Sequence, residues 1–282
     1  MAKNNRQSKN EEKENNTFLP LYPACTVPKN LQKSRQINTG LFYEKFCDQW
    51  IEMCDEEECE KSQNITTGFT LGENKQKWII KFNNWVGNRQ IIEHAVYRMR
   101  RLVRQRKGKV ITMKTASRFI PGMGRPHPVE NGINWHPTLG VPYLPGSSVK
   151  GMVRAWAESY NNVDEKTITR IFGPKKLEKS AGSVIFFDAL PTQHVCLAMD
   201  IMTPHHSNYY QGKNKNPHEW EAPNPIPFLA VEEGQTFLFA IAPRRSQDQE
   251  DLDQVEHWLK EALETIGAGA KTAVGYGRFK MA

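Results

Sequence analysis

Residues 235–282 read QTFLFAIAPRRSQDQEDLDQVEHWLKEALETIGAGAKTAVGYGRFKMA. Gln235 to Ala242 reads as a strand, with an unbroken apolar run from Phe237 to Ala242, as a buried strand shows. From Asp248 to Ile266 the apolar residues Leu252, Val255, Leu259, Leu263 and Ile266 recur at helical spacing, which predicts an amphipathic helix. Four glycines between Gly267 and Gly277 then break the helix. Tyr276 to Met281 closes the chain as a last strand. Strand, helix, glycine-rich turn and strand follow in that order.

Working outward, Ser183 to Ala189 (SVIFFDA) reads as another buried strand, and residues 191–231 read as irregular. Upstream, Pro145-Gly146-Ser147-Ser148 opens a helix reaching about Tyr160, and Val110 to Ile120 reads as a strand. A long loop rich in Gly, Pro and His joins that strand to the helix. The succession predicts an α+β fold of the ferredoxin-like (RRM-like) βαββαβ type. It would carry a long thumb loop, an irregular insertion and N-terminal helices. Three regions are expected: a disordered basic arm over 1–36, a helical region over 37–108 packed on the core, and the ferredoxin-like domain over 109–282. In the second region Asn38-Thr39 would cap a helix running through about Glu60. Residues 89–107 form a clearer one, with Ile92, Ala95, Val96, Met99, Leu102 and Val103 on one face and Arg100, Arg104 and Lys107 on another.

Charge is uneven. The chain of 282 residues carries a formal +7. Residues 89–109 hold eight Lys/Arg against Glu93 alone, a local positive field suited to polyanions. Glu44 to Glu60 holds eight acids against Lys45 and is expected to face solvent or a basic partner. No run of about 18 apolar residues is present, so no membrane partner is expected. The polar Met1–Asn16 stretch is expected to be no secretory signal. Five cysteines without a CxxC pair fit thiols in a reducing cytoplasm.

Two turns carry the candidate chemistry. The first is Gly146-Ser147-Ser148-Val149-Lys150-Gly151, where a glycine turn delivers serines to a helix start whose N–H groups lack partners, with Lys150 and Arg154 on one face. The second is the loop holding Gly269, Lys271, Thr272, Tyr276 and Arg278. It is no ATP-binding P-loop, because Ala270 precedes Lys271 and the order runs from helix to strand. The two turns are expected to form one cradle for a ribonucleotide strand. Upstream of both in sequence, Arg118, Arg125, His127, Trp135, His136 and Tyr143 interleave basic and aromatic groups, a composition suited to phosphate contact and base stacking. His205-His206 has no thiolate spaced to help it ligate a metal, so neither metal nor cofactor is expected.

Pro142-Tyr143-Leu144-Pro145-Gly146-Ser147-Ser148-Val149-Lys150-Gly151 and the closing glycine-rich loop from Gly267 to Phe279 resemble the signatures of the RAMP superfamily of CRISPR proteins. Ile185-Phe186-Phe187-Asp188-Ala189, Asp200-Ile201-Met202-Thr203-Pro204-His205-His206 and Pro225-Ile226-Pro227-Phe228-Leu229 narrow the resemblance to the sixth-subunit family of type III-B Cmr RNA-targeting effectors. The resemblance implies a non-catalytic cytoplasmic subunit for antiviral defence. It would bind the 3′ part of the guide (crRNA), cap the backbone, help shape the guide–target duplex, and contact target RNA and the other Cmr backbone and small subunits. It also implies a projecting β-hairpin thumb, here Pro121 to Thr138. In a related backbone subunit an aspartate of that loop cuts RNA with a divalent metal. No aspartate lies between Lys109 and Asp164 here, so no cleavage is expected. The alternative is a metal-independent RNA endonuclease of CRISPR repeats using His127 or His136 as general acid or base.

Overall fold

The computed structural model describes residues 37–53, 68–72, 74–174, 180–206, 209, 212, 216 and 224–282. The expected arm over 1–36 and Cys54 lie outside the described residues. The first helix, α1 (Thr39–Lys45), starts where expected, and the Asn38 side chain accepts the Leu41 N–H at 3.0 Å. It does not reach Glu60. A helix there would stack Glu44, Asp48, Glu52, Glu56 and Glu60 on one stripe at i, i+4 spacing, where like charges repel. Instead the chain turns, and Ile51–Met53 (β1) pairs antiparallel with Gly68–Thr70 (β2). Cys47 therefore sits beyond the helix, buried.

The next helix, α2 (Asn74–Ile80), buries Trp78 and Ile79, and β3 is only Trp85–Val86. Helix α3 (Arg89–Gln105) is capped by Asn88, whose side chain accepts the Ile91 N–H. Strand β4 (Lys109–Thr115) follows, then after a long segment α4 (Gly146–Ser159) and α5 (Glu165–Phe172). The remainder comprises β5 (Val184–Phe186), β6 (Leu190–Pro191), β7 (Val195–Met202), β8 (Ile226–Val231), β9 (Thr236–Pro243), α6 (Asp251–Thr265) and β10 (Phe279–Met281).

The largest sheet runs β10-β4-β9-β5, with β6 also on β9, and every pairing is antiparallel. The alternation of β9 divides the core. Phe237, Phe239 and Ile241 face the main cluster with residues of α4 and α6, such as Val153, Leu259 and Leu263. Leu238 points the other way, into a smaller cluster with Ile92 and Val96 of α3 and with Leu139 and Val141. The second sheet face, which an RRM leaves open to RNA, is thus partly covered by α3. Tyr43 and Trp78 join the main cluster directly.

Residues 191–231, read as irregular, hold β7 and β8, which with β3 form a separate sheet in the order β3-β7-β8. Prolines hid the pattern of β8. Pro227 lies within β8, and because β8 is an edge strand its missing N–H costs no ladder bond. The segment expected to project as a thumb is folded down. Val129, Ile133 and Trp135 are buried in the main cluster, and Glu130 pairs with Lys75 of α2. Burying this apolar material outweighs projecting it. Only Gly124, Arg125 and Pro126 are fully exposed along 121–129.

Candidate nucleic-acid interface

At the first turn, Gly146 begins α4 because nothing larger fits: a Cβ there would strike the Phe186 carbonyl. Its N–H does not wait for a ligand. It donates to Asp188 Oδ1 at 2.7 Å, and the Ser148 and Val149 N–H groups return to the Pro145 carbonyl at 2.8 and 3.1 Å. A carboxylate therefore already sits at the positive end of α4. Ser147 and Ser148 are exposed. Arg154 donates to Glu158 at 3.0 Å and to the Gly173 carbonyl at 3.3 Å. Lys150 lies near Arg154 and Arg244, and burial first, then those two like charges, pull its pKa below the usual lysine value. A phosphate there would relieve the repulsion.

The second turn is held by side chains from β7 and the end of β8. Tyr276 Oη donates to Asp200 Oδ2 at 2.7 Å, and Arg118 donates to the same oxygen at 2.9 Å. Arg118 also reaches both oxygens of Glu232, at 3.2 and 3.3 Å. Burial raises the Asp200 carboxyl, but the bonds from Tyr276 and Arg118 outweigh it and hold the group below its ordinary range. Burial, then the same hydrogen bond, push the Tyr276 phenol up to about 12. Arg278 turns inward and donates to the Ile266 carbonyl at 2.5 Å, capping α6. Gly269 and Gly277 both have positive φ, and a Cβ on Gly277 would strike the Ala268 carbonyl. Among the loop's sequence-predicted ligands, Lys271 stays half-buried with its Nζ 5.7 Å from the Phe228 ring centre. Thr272 is also half-buried.

Backbone bonds through the intervening segment join the two turns. Ala270 and Gly277 donate to the carbonyls of Ile120 and Arg118, Asn134 to Pro121, Tyr143 to Asn134, and Leu144 pairs with Ala189. Both histidines of that segment bond backbone atoms through their rings. His127 stacks on Tyr43 with ring centres 4.3 Å apart, its Nε2 lies 3.0 Å from the Tyr43 carbonyl, and its Nδ1 accepts from Val129. His136 Nδ1 accepts from the N–H groups of Thr138 and Leu139. Burial lowers the pKa of each. Arg125 is exposed.

Among the site residues named from sequence, then, Arg118, Gly146, Gly269, Tyr276 and Arg278 build the turns, and Arg154 is tied to Glu158 of its own helix and to the end of α5. Ser147, Ser148, Lys150, Lys271, Thr272 and Arg125 retain accessible polar groups. Sequence reasoning missed the three carboxylates, Asp188, Asp200 and Glu232. Two of them sit inside quoted motifs, where an acid next to a basic turn was the available signal. Among the described residues no three His, Cys, Asp or Glu side chains cluster to hold a metal.

The sequence model of the RAMP superfamily matches residues 112–280. The chain belongs to the RAMP superfamily. A curated relative, CRISPR system Cmr subunit Cmr6 of Pyrococcus furiosus, is 32% identical in an alignment 225 residues long that covers 58% of this chain and 65% of that protein. The Cmr6 subunit of Saccharolobus solfataricus is 31% identical over 158 residues, 54% of this chain and 49% of that one. The chain thus spans about two thirds of the first relative's length and about half of the second's. A chain in the cryo-EM structure of the type III-B Cmr-beta complex bound to cognate target RNA superposes with a TM-score of 0.62 at 20% identity, covering 90% of this chain and 94% of that one. That likeness shows the fold.

Proposed function

We propose that this RAMP protein is a non-catalytic RNA-binding subunit of a type III-B CRISPR effector. It holds the 3′ part of the guide RNA, caps the backbone of the complex and helps shape the guide–target duplex beside its neighbouring Cmr subunits. The order β10-β4-β9-β5, with α4 and α6 contributing to the core on one side, supports a ferredoxin-like domain over 109–282. The described residues of 37–108, among them Tyr43 and Trp78, pack against it.

The observation that carries the reading is the division of labour at the two turns. Acids and inward-turned arginines fix the backbone, while Ser147, Ser148, Lys150, Lys271 and Thr272 are left to face phosphate. Glycine turns let a nucleic-acid backbone approach closely, and serine hydroxyls and lysines supply the contacts to its phosphates. Both histidines needed by a nuclease reading are engaged in backbone bonds. The test mixes purified protein with labelled CRISPR repeat RNA in EDTA, then maps photocrosslinks from 4-thiouridine in the guide's 3′ portion. The expected result is intact RNA crosslinked to peptides 144–154 and 267–278. Specific cleavage lost in a His127→Ala or His136→Ala variant would overturn the proposal, as would bound RNA crosslinked elsewhere only.

A further inference from the structure

From Arg98 to Lys107 the chain carries six cations and no acid. All six are exposed on α3 or at its end, and none has a carboxylate partner among the described residues. Arg89, earlier on the same helix, is paired with Glu93. The helix dipole favours cations in the last turn, which accounts for Arg104 to Lys107 and leaves Arg98, Arg100 and Arg101 with neither a carboxylate nor the helix end to offset their charge. Four of the six, Arg100, Arg101, Arg104 and Lys107, line a groove of about 440 Å³ together with Tyr97, a volume that holds ligand-sized groups. Tyr97 is 61% exposed, and the Arg101 guanidinium lies 5.8 Å from its ring centre.

The charge continues onto the sheet. Arg100 donates to Thr112 Oγ1 at 3.4 Å, so Thr112 faces α3, and by alternation Lys114 shares that face about 7 Å farther along β4. Lys114 stands directly opposite Lys280 of β10, and both are exposed. Like charges facing across a strand pair destabilise it, so this pair costs stability unless an anion bridges it.

We propose that this face is a second nucleic-acid track, separate from the two turns: single-stranded RNA lies along α3, a base stacks on Tyr97, and phosphates meet Arg100, Arg101, Arg104, Lys107, Lys114 and Lys280. Arginine forks pair with phosphate and stack on bases, and an exposed tyrosine among them suits a nucleobase better than a carboxylate side chain. The inference stands whether or not the turns bind RNA.

The test uses the full chain and a fluorescein-labelled 20-nucleotide oligouridine over a salt series, with a polyglutamate peptide as the rival probe. Arg100→Gln with Arg101→Gln, Arg104→Gln and Lys107→Gln is expected to flatten the log–log salt slope by about three units, at roughly 0.7 per released phosphate contact on single strands. Tyr97→Ala is expected to weaken binding roughly ten-fold with the slope unchanged, the mark of lost stacking. Exposed positions keep the fold, which a thermal melt of each variant verifies. Unchanged RNA affinity and slope in the quadruple variant overturn the proposal. So does polyglutamate binding that needs these four residues while RNA binding does not, since the face would then belong to an acidic protein. Loss confined to Lys150→Ala with Lys271→Ala would support the turns and reject this track.

Discussion

The glycine-rich turn and the outer face of α3 are both basic, yet they hold their charge in opposite ways. At the turn Arg118 lies between Asp200 and Glu232, and Tyr276 donates to one of the same carboxylates. On α3 six neighbouring cations have no acid among the described residues. Charge in the first region fixes a backbone shape; in the second it stays available to a partner. Basic side chains in the sequence suggest polyanion contact in both regions, and pairing separates them.

The sharpest way to break the contrast is through backbone shape. Gly277→Ala forces a side chain into a position with φ of +74° and against the Ala268 carbonyl. It is expected to cost about 2–3 kcal/mol, read as a lower midpoint in urea unfolding. Arg104→Gln on α3 should move that midpoint by less than about 0.5 kcal/mol. Equal losses would erase the distinction.

Next in size is Arg118→Ala. It removes a forked donor from two carboxylates, and its 38% side-chain exposure keeps the expected loss to about 1–2 kcal/mol. Arg118→Lys should recover only part of it, because one ammonium does not span both acids. Full recovery would show that charge alone matters at this turn.

Acid should expose the same network. Asp200 and Glu232 have depressed pKa values, through bonds that outweigh the burial raising each. Their contribution is therefore present above the ordinary carboxylate range and lost as pH falls through the lower folded values, below about pH 4. Tyr276 is raised, so its share is present below about pH 10 and is lost as pH rises towards about 12. In Asp200→Asn the acid limb of the stability profile should be shallower than in the wild type. An identical limb would place the acid sensitivity elsewhere.

Much of the fold was legible because local signals agreed with it. Asn38 and Asn88 cap the helices they precede, β9 and α6 lie where apolar spacing puts them, α4 starts at its glycine–serine turn, and β10 is the closing strand, shortened to Phe279–Met281. The end of α1 was not legible from spacing alone, because five acids at four-residue intervals work against a helix whose apolar pattern looks continuous. Strand β8 was masked by Pro225 and Pro227, the second of which an edge strand tolerates, and β7, which carries no proline, was passed over with it. At the site, the turns were readable from glycine and serine positions. Which cations they leave free was not, since Asp188, Asp200 and Glu232 reach them from strands distant in sequence. His127 looked like a chemical group in a polar loop and proved to be packed on Tyr43.

The account rests on pairing as the rule that separates structural cations at the turns from RNA-facing ones. Its most direct test is the salt dependence of single-stranded RNA affinity in Arg118→Ala, beside Lys150→Ala with Lys271→Ala. With folding verified by melting, the arginine variant should keep the wild-type slope, and the double lysine variant should lose about 1.4 units. A slope lowered by Arg118→Ala and untouched by the lysine pair would contradict the account.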